Sequence, residues 1–114
     1  MKRLFIMILG LMTLFTVGCG RGSIKEITSH VFSELINLKK VVINEGVEVI
    51  GFSAFYNCWQ LEEIHLPKSL KQIDSLSFFG CSLLKTVYYN GNELEYEEIL
   101  KDAFFDEKIN VIYK

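Results

Sequence analysis

Few residues in this chain have types and spacings that could do chemistry, and most of them argue against catalysis. His30 precedes Glu34 by four residues, a spacing that suggests two metal ligands or a base with its orienter. Two ligands do not make a metal site, and no third His, Cys or carboxylate falls at a matching place. Neither a metal nor a cofactor is therefore expected. The sequence also holds no nucleophile–base pair, metal triad or phosphate loop, so no catalytic residue is assigned and the chain reads as a non-enzyme.

The cysteines point elsewhere. Three are too few to staple a scaffold, and their spacing fits no zinc motif. Cys58 and Cys81 stand 23 residues apart, at the same place in two copies of one phrase. Stacked copies would bring them about 4.8 Å apart, within disulfide range, and an exported chain would permit the bond. Each copy uses its own cysteine, so the preferred reading is two small buried thiols that fill a turn.

Cys19 closes a leader. Lys2 and Arg3 precede an apolar run from Leu4 to Val17, broken only by Gly10, Thr13 and Thr16. The run is shorter than the roughly 20 residues of a spanning helix and has the length of a signal-peptide core. Thr16-Val17-Gly18-Cys19 then resembles the lipobox of bacterial lipoproteins, although Thr16 stands where leucine is usual. That resemblance implies cleavage before Cys19, lipidation of Cys19 and attachment to a membrane. More than one acyl chain gives stable anchoring. The expected division is a signal peptide over 1–18, lipidated cysteine and tether over 19–22, repeats over 23–89 and a C-terminal cap over 90–114.

The element that must position everything else is the repeat. Ile27, Ile50 and Ile73 align at a period of 23 residues, as do Phe32, Phe55 and Phe78, and Leu38, Leu61 and Leu84. Val41, Ile64 and Val87, then Ile43, Leu66 and Tyr89, continue the register. A fixed period of this size marks a solenoid, in which one coil cannot bury its apolar face alone and stacking supplies the core. Leu61 to Leu66 ends in the alternation of a half-buried strand, and Pro67 stops it. Ser53–Cys58 and Ser75–Cys81 read as loops or single helical turns, ended by Asn57 and Gly80. Leu70 to Ile73 returns as a shorter strand. In the chain from Cys19 onward the first coil, entered at Ser23, lacks the strand that would normally precede it.

The phrase Ala54-Phe55-x-x-Cys58-x-x-Leu61-x-x-Ile64-x-Leu66-Pro67, followed by Ile73 and Phe78-x-x-Cys81-x-x-Leu84, resembles the BspA-like leucine-rich repeat proteins. The first repeat departs from it at Leu35 and Asn44, the third after Tyr89. The expected fold is an α/β-type repeat solenoid, mostly β: a short right-handed coil of about three 23-residue repeats with a helix-plus-strand cap. The resemblance also implies a surface setting in host-associated bacteria and protein–protein contact, including adhesion to host matrix proteins.

The tail supplies the cap. Asn92 with Glu95 three residues on resembles a capping box, and Tyr96, Ile99, Leu100, Ala103 and Phe104 make an apolar helical stripe. Glu93, Glu95, Glu97 and Glu98 read as a solvated face near the helix start, and Ile109, Val111 and Tyr113 alternate as a last strand.

Between the core positions of the strand phrase lie two outward rows. Lys40, Glu63 and Thr86 form one, and Val42, His65 and Tyr88 the other. These six residues are the candidate binding face, because solenoids bind through the surface their strands create. Trp59 is either an exposed anchor or a partial cover for the core edge. Without Lys2 and Arg3 the chain holds ten basic and fourteen acidic residues, which argues against a nucleic-acid partner. The expected partner is a protein, with a second reading in which the open N-terminal coil stacks on another solenoid or on a second copy, or the chain is a shortened, non-functional relative.

Overall fold

The computed structural model describes residues 15–17, 25–99 and 109–114. Among these residues eight strands and one helix follow in the order β1 (Phe15–Val17), β2 (Glu26–Ile27), β3 (Lys40–Ile43), β4 (Val49–Ile50), β5 (Glu63–Leu66), β6 (Gln72–Ile73), β7 (Thr86–Tyr89), α1 (Glu93–Ile99) and β8 (Asn110–Tyr113). They build two parallel sheets, β1-β3-β5-β7-β8 and β2-β4-β6, which alternate along the chain. The repeat period is the pairing register: Ile64 lies between Val41 and Val87, and Ile50 between Ile27 and Ile73. Each coil thus contributes one strand to each sheet, and the expected solenoid of stacked turns is the fold.

The core fills the space inside the coils. Ile27, Phe32, Leu38, Val41, Ile50, Phe55, Leu61, Ile64, Ile73, Phe78, Leu84 and Val87 are all buried in one cluster. Phe55 stacks on Phe32 at 5.4 Å and on Phe78 at 5.3 Å between ring centroids, so the three rings make one column. A position is apolar because the coils above and below are apolar there.

The turns between the sheets are not helical. Each turn that leads from the three-stranded to the five-stranded sheet bends twice through the left-handed region, at His30 and Glu34, at Ser53 and Asn57, and at Leu76 and Gly80. The left-handed bends free alternate N–H groups from their own turn. His30, Phe32 and Glu34 donate to the carbonyls of Phe52, Ala54 and Tyr56, and Ser53, Phe55 and Asn57 donate to those of Ser75, Ser77 and Phe79. Of the two readings of these segments, loop and single helical turn, the loop holds. Hydrogen bonding between coils, rather than within one, decides it.

At the C-terminal end the capping box forms in both directions: Glu95 N–H donates to Asn92 Oδ1 at 3.0 Å, and Asn92 N–H donates to Glu95 Oε2 at 3.2 Å. Tyr96 and Ile99 are buried, and Tyr96 packs between Tyr89 and Tyr113. Leu100, Ala103 and Phe104 of the expected stripe lie outside the described residues.

At the other end a strand does precede the N-terminal coil in the full chain: β1 pairs in parallel with β3, with Phe15, Thr16 and Val17 opposite Val41, Val42 and Ile43. These residues fall within the expected signal peptide, so the missing strand expected of the chain from Cys19 onward is a separate matter. The open edge of β3 carries unpaired backbone groups, and a segment of β-branched and aromatic residues is well suited to satisfy them. Residues 18–24, which include Cys19 and the expected tether, lie outside the described residues.

Candidate functional site: the outer face of the five-stranded sheet

Alternation along β3, β5 and β7 sends Val41, Ile64 and Val87 into the core and leaves the intervening side chains half-buried on the outside. Strand register then aligns them. Lys40 lies opposite Glu63 and Glu63 opposite Thr86, while Val42 lies opposite His65 and His65 opposite Tyr88. All six residues of the candidate face therefore share one surface. Strand β8 extends both rows, with Asn110 opposite Thr86 and Ile112 opposite Tyr88. The sequence reading missed these two. The alternation of Ile109, Val111 and Tyr113 along the last strand puts the residues between them on the opposite face.

The face is organised by charge and ring contacts. One oxygen of Glu63 accepts from His65 Nε2 at 2.5 Å and meets Lys40 Nζ at 3.2 Å. The His65 hydrogen bond, with Lys40 beside it, holds the Glu63 carboxyl below its ordinary value near 4.5. His65 also stacks on Tyr88, with centroids 4.4 Å apart and planes at 19°. From just past β8 on the other side, Lys114 places its Nζ 4.7 Å from the centre of the same ring. Lys40, Glu63, His65, Tyr88 and Lys114 thus form a chain of contacts across four strands. Lys114 is a participant that no spacing pattern announced, because it lies past the last strand.

A depressed carboxyl pKa has a defined sign. The Glu63 interactions contribute stability that is complete above the ordinary carboxylate range and is lost as pH falls through the lowered value. In urea titrations, Glu63→Gln is expected to lower the midpoint at pH 7, with a smaller difference from the parent at pH 3. A difference of equal size at both pH values would contradict that linkage.

His30 and Glu34 do not form a comparable pair. Both are exposed at left-handed corners, and His30 sits edge-on to Phe52 at 5.5 Å. Among the described residues no group of three or more His, Cys, Asp or Glu is placed to hold a metal. Trp59 is 45% exposed.

Cys58 and Cys81 are buried free thiols. Each donates to the coil before it, Cys58 Sγ to the Phe32 carbonyl at 3.1 Å and Cys81 Sγ to the Phe55 carbonyl at 3.2 Å. Burial pushes the Cys58 thiol up to about 11 and that of Cys81 up to about 12. Thiolate is the reactive form, so both residues are expected to resist Ellman's reagent at pH 8 in the native state and to react after denaturation in guanidinium. Rapid native labelling of either one in the Cys19→Ser chain would contradict the burial.

Comparison with known proteins agrees with this architecture. The family described as the BspA type leucine rich repeat region (6 copies) matches residues 20–113. Among solved structures, the T. pallidum leucine rich repeat protein superposes with a TM-score of 0.62 at 21% identity, covering 89% of this chain and 51% of its own. The chain thus spans about half the length of that protein, and the likeness is one of fold. A leucine rich cell surface protein from Faecalibacterium prausnitzii gives a TM-score of 0.42 at 20% identity over 81% of this chain and 36% of that one. No curated protein matches the sequence. With the 23-residue period serving as strand register and the family match running over nearly the whole repeat region, the chain belongs to the BspA-type leucine-rich repeat family.

Proposed function

We propose that this protein is a binding module of the bacterial cell envelope, exported and lipid-anchored through Cys19, that engages a protein partner through the outer face of its five-stranded sheet. The supporting observation is the register of that face, which brings Lys40, Glu63, His65 and Tyr88 into one connected surface beside Val42 and Thr86. Interlocked side chains lose little freedom on binding, and a mixed aromatic and charged surface suits a protein better than a small substrate. The face acts by contact rather than by bond chemistry, because the His65–Glu63 pair is already engaged with Lys40 and Tyr88. Family membership agrees with a surface setting, and adhesion to host matrix proteins is the finer reading within it.

The test is capture of envelope and extracellular-matrix proteins by the immobilised full chain, compared with the double variant His65→Ala/Tyr88→Ala and with Trp59→Ala. A partner retained by the parent and by Trp59→Ala, but weakened at least tenfold by the double variant, supports the face. Equal retention by all three removes it. Anchoring is checked separately: an alkynyl palmitate label should enter the parent expressed in a bacterial host and fail to enter Cys19→Ser.

A further inference from the structure

Strand β1 occupies the sheet edge without belonging to the repeat. Every strand pair from β3 to β7 is offset by 23 residues, whereas β1 precedes its β3 partners by 26, for example Phe15 against Val41. The repeat register would put Gly18, Cys19 and Gly20 there instead. The β3 edge has therefore taken up an out-of-phase segment, as an edge does when it recruits a strand by backbone hydrogen bonds.

The far end of the same sheet offers a second strand of matching form. Asn110 and Lys114 donate their N–H groups inward, to the carbonyls of Lys85 and Tyr89. Alternation then turns the backbone groups of Val111 and Tyr113 outward. Strand β8 is the last of its sheet among the described residues and reads Asn-Val-Ile-Tyr, with no charge and no proline of its own to blunt that edge. Its rows continue those of β3: Asn110 shares the row of Lys40, Ile112 that of Val42, and Val111 that of Val41.

We infer that the β3 edge is a strand-exchange site, held in this chain by its own residues Phe15–Val17 and open, once they leave, to β8 of a second copy. The contact joins one end of a molecule to the other end of the next, so it is heterologous and propagates as a head-to-tail chain. Cleavage before Cys19, part of the reading proposed above, removes β1 and so couples export to assembly. The exchange itself depends neither on that cleavage nor on the outer-face partner.

The experiment uses the full chain in detergent, carrying Cys19→Ser, Val42→Cys and Ile112→Cys. The two new cysteines share an outward row but lie on strands that are not neighbours within one molecule, so a bond between them reports contact between copies. A second version adds Phe15→Gly, Thr16→Pro and Val17→Gly to abolish the β1 strand. After mild oxidation, a non-reducing gel should show a ladder of dimers and higher species at least tenfold stronger in the second version. That ladder should vanish when Ile112→Cys is omitted. A folded second version, judged by circular dichroism, that gives no ladder overturns the inference. So does loss of the fold in that version, which would make β1 an integral strand rather than an exchangeable one.

Discussion

Phe55→Ala is expected to destabilise the protein by about 3–5 kcal/mol, the range for deleting a fully buried aromatic ring. Phe55 has no exposed surface and is the middle ring of the column, with Phe32 on one side and Phe78 on the other. Its removal leaves a cavity that two rings in separate coils border at once. The backbone cannot close it readily, because Phe55 N–H donates to the Ser77 carbonyl and the Phe55 carbonyl accepts from Cys81 Sγ. A small domain has only about 5–15 kcal/mol of stability in total, so the variant should lie near its unfolding threshold at 25 °C. The measurement is the urea midpoint, with Trp59→Ala as the surface comparison, expected to change stability by about 0.5 kcal/mol or less. Equal midpoints for Phe55→Ala and the parent would contradict the packing of the column.

Gly51→Ala is the second large effect, and there the sign is the test. A methyl group at Gly51 would lie 2.6 Å from the Ile27 carbonyl oxygen, 2.9 Å from the Ser29 nitrogen and 3.0 Å from the Thr28 carbonyl carbon. All three are backbone atoms of the preceding coil, so no side chain can swing aside. Gly51 is also fixed from both directions: its N–H donates to the Ile27 carbonyl at 2.7 Å, and its own carbonyl accepts from Ser77 Oγ at 2.9 Å. The first two coils must then separate locally, at a cost on the order of 1–3 kcal/mol. Where no clash exists, the same change usually stabilises by about 0.4–1 kcal/mol, because alanine restricts the unfolded chain. Thermal melting separates the two outcomes directly. A raised melting temperature would mean that the coils are not in backbone contact at this point.

Much of the fold was legible because a solenoid writes its contacts as a sequence period. Phe32, Phe55 and Phe78 can be matched without coordinates, since each ring's environment is the same residue one coil away. The same logic gave the rows of the outer face, because alternation fixes which residues leave the core and the period fixes who stands beside whom. The capping box of Asn92 and Glu95 was readable for a different reason, being a contact between residues three apart. The turns were not readable. Glu34 and Ser53 adopt left-handed conformations that their side chains disfavour, and there their N–H groups donate to the carbonyls of Tyr56 and Ser75 in the next coil.

What the sequence determined by itself was the repeat, its period, the inward column of phenylalanines and the two outward rows, all consequences of patterns that recur at a fixed spacing. Tertiary structure alone decided that β1 sits on the β3 edge, three residues out of phase, and that Lys114 reaches the Tyr88 ring. Neither follows a period, because each arises where the stack ends and an edge has no neighbouring copy to dictate its partner. A repeat encodes its interior in advance; its ends are settled by whichever backbone and side chains come within reach.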